Sequence, residues 1–143
     1  MDLDTLLARL EADRARHLIA GPATPQEIAQ LEQSLGCALP AALRALLTRV
    51  GWGLLYDRHE LFGPRPLIIH DIELVPSLLV ARRALAGPGG PRCGEALPFH
   101  RTGGVVHAID LADGRVLRAD GGPGFPDLAR FLEELVFGPG GKG

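Results

Sequence analysis

Residues 24–53 constrain this chain more than any other stretch, because every local cue in them agrees on two short helices joined by a corner. Thr24 and Glu27 have the spacing of a capping box, in which each side chain satisfies a backbone N–H that a new helix leaves unpaired. Pro25 stands at the first helical position, where its missing N–H costs nothing. Ile28, Leu31 and Leu35 follow on one face at helical spacing, and Gly36 supplies a left-handed stop. Pro40 opens the second helix in the same way. Leu43, Leu46, Leu47 and Val50 form its apolar stripe, and Gly51 closes it. Such agreement between independent local signals is the mark of a segment with one strongly preferred structure.

Around this pair the pattern predicts a first helix over residues 2–19, with Leu3, Leu6, Leu7, Leu10, Arg14, His17 and Leu18 on one face. Gly21-Pro22 breaks it. A β-hairpin is expected over residues 54–62, turning at Asp57-Arg58. Residues 67–69 read as a short strand. A helix starting at Asp71 would hold Pro76 in its interior at a cost of about 3 kcal/mol, so the next helix is placed from Val75-Pro76 onward. Residues 86–94 contain little that packs and read as a mobile surface loop. Segments 97–100, 105–110 and 115–118 are separated by Thr102-Gly103-Gly104 and Ala112-Asp113-Gly114, the residues that hairpin turns demand. They predict an antiparallel meander. A last helix is expected from Pro126, with Leu128, Phe131, Leu132, Leu135 and Val136 inward. The expected fold is therefore a single α+β domain, residues 1–137, with an antiparallel sheet packed against N-terminal helices and a C-terminal helix. Residues 138–143 read as a disordered glycine-rich tail.

Composition narrows the classes of function. The formal charge of −2 is spread evenly along the chain, so no long-range field favours nucleic acid or an anionic membrane. No run approaches the ~20 apolar residues of a membrane span. The opening Met-Asp-Leu-Asp lacks the cations of a signal sequence, and Cys37 and Cys93 are isolated. A cytoplasmic protein with reduced thiols is expected.

The candidates for chemistry each have a plainer reading. The loop 121–124 precedes a helix but lacks the G-K-[ST] of a phosphate cradle. His100 and His107 are placed to face each other across the Gly103-Gly104 turn, with His59 and His70 near other strands, but zinc asks for three or four ligands. Sheet-surface histidines are the expectation. Asp110, Asp113 and Asp120 read as turn residues and not as a calcium site. No serine or cysteine stands in a recognisable nucleophile setting. No catalytic residue, metal or cofactor is expected. Trp52, flanked by glycines where helices hand over to sheet, either caps the core or anchors a partner. Tyr56, Arg58, His59 and Glu60 follow within one hairpin and would share that partner-contacting surface.

The order of Glu27, Ile28, Leu31, Glu32, Leu35, Gly36, Leu39, Pro40, Leu43, Leu46, Leu47 and Gly51 resembles the start of the SUKH superfamily, the Smi/Knr-like domains. The likeness continues through Leu61-Phe62-Gly63, Leu97-Pro98-Phe99, Gly103-Gly104, Asp110, Asp113-Gly114, Val116 and a helix from Phe125, over roughly residues 20–137. Val50 stands where that superfamily usually has an asparagine before the glycine turn. The resemblance implies a non-enzymatic protein-binding module, of the kind that binds a cognate polymorphic toxin domain and blocks its active site. An intracellular regulator bound to an endogenous protein, or a small-molecule binder using a pocket between last helix and sheet, are the alternatives. Oligomeric state stays open.

Overall fold

The computed structural model describes residues 2–86 and 96–138. Most of the expected loop at 86–94, and residues 139–143 of the expected tail, lie outside the described residues.

The first helix, α1 (Leu3–Ala12), is capped by Asp2, whose carboxylate accepts the Thr5 N–H at 2.9 Å. It is shorter than its apolar pattern predicts. At Asp13 the chain leaves the helix, passes through one tight turn (Arg14–Arg16) and becomes β1 (Leu18–Ile19). The polar residues on the expected face account for the change. Arg14 donates to the carbonyls of Val50 and Arg49 at 3.0 and 3.2 Å, satisfying backbone acceptors that the following helix end leaves open. His17 is drawn to the backbone of Tyr56.

α2 (Pro25–Leu35) has the predicted capping box, with both Thr24–Glu27 hydrogen bonds at 3.1 Å, and ends at Gly36 with φ +82°. α3 (Ala41–Arg49) begins behind Pro40. Arg49 ties it to α1 through Glu11 at 2.7 and 3.0 Å and through Asp4.

A six-stranded antiparallel sheet runs in the order β1-β2-β3-β6-β7-β8. It comprises β1, β2 (Gly53–Leu55), β3 (His59–Leu61), β6 (Ala96–Thr102), β7 (Val105–Asp110) and β8 (Val116–Arg118). The predicted first hairpin and the meander are both present. β4 (Leu67–Ile69) and β5 (Ile72–Val75) form a separate two-stranded ribbon, followed by α4 (Leu78–Ala86). The strand β5 departs from expectation, since the helix starts two residues beyond Pro76. Two causes combine. His70 and Asp71 form a two-residue turn at φ +52° and +64° without a glycine to announce it, and Pro76 holds Val75 extended. The last helix, α5 (Leu128–Phe131), starts after Asp127, which caps it by accepting the Arg130 N–H at 2.8 Å, and not at Pro126. It continues as a wider turn over Leu132–Val136, closed by Phe137 N–H donating to the Leu132 carbonyl.

Antiparallel register decides which residues share a face of the sheet. His59, Leu61, His100, His107, Ile109 and Val116 lie on the face covered by α5, and all are buried. Leu54, Glu60, Arg101, Val106 and Leu117 lie on the opposite face and reach solvent in part.

Candidate functional site

The five residues expected to contact a partner are all at the first hairpin, but they do not share a surface. Trp52 is 0% exposed. Gly63 lies against its indole so closely that any Cβ there would overlap the ring, and the Arg65 guanidinium covers it from outside at 5.1 Å. Its Nε1 has no hydrogen-bond partner among the described residues, a cost of about 1–3 kcal/mol that only close packing offsets. The indole thus fills the junction between helices and sheet.

Tyr56 is also buried and holds a left-handed backbone, φ +52°. Three contacts fix it there. Its N–H donates to His17 Nδ1 at 2.9 Å, its hydroxyl donates to Asp13 at 2.6 Å, and its ring meets the His17 ring edge-on at 4.5 Å. Because Nδ1 accepts, the His17 proton sits on Nε2, which donates to the Leu10 carbonyl at 3.1 Å. Burial first, and Asp13 second, push the Tyr56 hydroxyl to a strongly raised pKa. Burial likewise lowers the pKa of His17.

Arg58 and Glu60 complete the set. Arg58 is exposed at the turn, and its carbonyl accepts the Thr102 hydroxyl at 3.2 Å. Glu60 takes two hydrogen bonds from Arg101, at 2.7 and 2.8 Å, across β3 and β6. Bidentate pairing of this kind fixes geometry as well as charge.

His59 turns the other way and joins a feature that sequence reasoning placed on the surface. His59, His100 and His107 form a buried row across β3, β6 and β7. His59 Nδ1 and His100 Nε2 share a hydrogen bond at 3.0 Å, and the Phe131 ring of α5 meets His100 and His107 edge-on at 4.9 and 5.2 Å. The Nδ1 atoms of His100 and His107 have no partner among the described residues. Burial, then the neighbouring imidazoles, hold His100 well below its ordinary pKa. Burial, then Arg118, lowers His107. The predicted facing of His100 and His107 is present, but α5 covers them and only His70 stays at the surface. The hairpin signal is local, but His59 joins the row and α5 covers it through segments far apart in the chain, which no local signal could have shown.

The remaining polar candidates have local structural work. Asp110 accepts the N–H groups of Ala112 and Asp113, Asp113 that of Arg115, and Asp120 that of Gly122. Ser77 accepts the Val80 N–H at the start of α4. Among the described residues no three His, Cys, Asp or Glu side chains are grouped to hold a metal ion, and no helix is long and apolar enough to cross a membrane.

The SMI1/KNR4 family (SUKH-1) matches residues 22–127, most of the chain, and the chain belongs to that family. The match spans the helix pair, both hairpins and the meander. Domains of this family are generally non-catalytic and of the immunity-protein type. No match was found among curated proteins.

Proposed function

We propose that this SUKH-1 member is an immunity protein, which binds a cognate toxin domain and occludes its active site without chemistry of its own. The family match over residues 22–127 carries the reading. The local roles of the polar side chains support it, since Asp110, Asp113, Asp120 and Ser77 serve turns and caps. In this reading Arg58 and Glu60 are the contacting members of the first hairpin, while Trp52, Tyr56 and His59 hold its backbone from inside. Affinity would come from an apolar contact ringed by polar groups.

The test is co-expression with the C-terminal domain of a toxin encoded beside this chain's gene. Rescue of growth, together with a stable complex of the two purified proteins, is the expected result. Continued killing would remove the immunity reading, and capture of a housekeeping protein instead would favour an endogenous regulator.

A further inference from the structure

We infer that the β4–β5 ribbon is a docking element for a protein partner whose surface combines positive charge with an apolar strip. The inference rests on the protein-binding reading above and adds a second contact, apart from the Arg58 turn.

The ribbon is anchored at its base and bare towards its tip. Leu67 and Val75 are buried, and Leu67 packs against Gly53, where a Cβ would collide with its methyl group. Ile68 and Ile72 are 55% and 62% exposed, the most exposed large apolar side chains among the described residues. Ile69 stands opposite Ile72 and Ile68 opposite Glu73, so each face of the ribbon presents an exposed isoleucine. Strand preference explains a β-branched residue at these positions. Threonine would meet that preference without offering so much apolar surface to water, and exposed apolar patches mark contact sites.

Charge selects the occupant. Glu11, Glu27 and Glu60 each meet an arginine of this chain. The carboxylates of Asp71 and Glu73, both exposed and flanking Ile72, make no hydrogen bond or ion pair among the described residues. Two unneutralised carboxylates beside bare isoleucines complement lysine or arginine next to an apolar strip. A second copy of this chain fits worse. A twofold contact would bring the same acidic ribbon against itself, and like charges set opposite each other on strands are destabilising.

The turn points the same way. His70 and Asp71 hold left-handed backbones, each an uncommon and costly state for a residue with a side chain. The β6–β7 turn of this chain uses Gly103-Gly104 for the same purpose. Among the described residues the His70 and Asp71 side chains make no hydrogen bond, ion pair or ring contact. Beside the ribbon, Ala20, Arg65, Pro66, Leu67 and Ile68 line an open groove of about 520 Å³, room for a side chain of the partner.

The experiment uses the full chain and the neighbouring toxin domain as probe. Affinity is measured at low and high salt for wild type, Ile72→Ser and Glu73→Arg, with thermal melts confirming that each variant is folded. Hydrogen exchange is followed over residues 67–75. At least tenfold weaker binding in each variant is expected, with a shallower salt dependence for Glu73→Arg and protection of the ribbon in the wild-type complex. Wild-type affinity in both variants, with no protection there, would overturn the docking element and leave the immunity reading standing. No complex with the wild-type chain would overturn both. A dimer of the chain alone that Ile72→Ser dissolves would also overturn it, by assigning the ribbon to self-association.

Discussion

Two hairpins of this domain, β2–β3 and β4–β5, make the same unusual turn for different reasons. Each places two consecutive non-glycine residues in the left-handed region, Tyr56-Asp57 in one and His70-Asp71 in the other. At the first, the tyrosine pays back its backbone strain through His17, Asp13 and a buried ring. At the second, neither side chain makes a hydrogen bond, ion pair or ring contact among the described residues, and nearby Ile68 and Ile72 are largely exposed. A strained turn therefore says little by itself. What holds it separates a structural clamp from a surface kept for another molecule.

The largest expected effect lies at the base of the first hairpin. Trp52→Ala should cost about 3–5 kcal/mol of stability, read from urea unfolding, because the site is closed by Gly63 and cannot collapse readily. A loss below about 1 kcal/mol would contradict the core role. Tyr56→Gly comes next. It relieves the backbone and keeps the N–H that donates to His17, but removes the ring and the hydroxyl bond to Asp13, so a net loss of about 2–4 kcal/mol is expected.

The covered face of the sheet adds a pH dependence. An imidazole whose folded pKa is lowered takes up its proton on unfolding, so its contribution to stability is present above the unfolded value near 6.5 and is lost as pH falls. His17, His100 and His107 all shift in that direction. The urea midpoint should therefore drop steadily between pH 7.5 and 5, and a flat profile would contradict the buried row. The smallest effect, of opposite sign to Tyr56→Gly, belongs to His70→Gly. Glycine accepts the left-handed turn freely, and the His70 side chain makes no hydrogen bond or ion pair among the described residues, so the melting temperature should stay level or rise, by up to about 1 kcal/mol in stability. A clear loss would mean that His70 has a clamp of its own.

Much of this was legible in advance where signals are local. The capping box, the glycine stops and the Gly103-Gly104 turn place α2, α3 and the meander with little help from tertiary contacts. Where side chains reach across the chain, the pattern misleads. Arg14 and His17 sit on an apolar helical face, yet they end the helix by binding α3 carbonyls and the Tyr56 backbone. The strand β5 was hidden because His-Asp is a poor advertisement for a tight turn. The candidate contact residues were found as neighbours in sequence, but alternation along β3 sends His59 inward and Glu60 outward. The exposure of Ile68 and Ile72 depends on what covers them, which no spacing rule reports.

One feature of the topology bears on how such a domain changes over time. Strands β3 and β6 are sheet neighbours although residues 62–95 intervene, and the Glu60–Arg101 pair with the Phe62 N–H to Phe99 carbonyl bond seals the seam between them. The ladder therefore closes without help from the ribbon's tip. Lengthening a loop costs only about 0.6 kcal/mol per doubling, so residues 68–73 can be exchanged or extended while the scaffold keeps its register. Sequence change can therefore accumulate at that tip long before the framework underneath registers it.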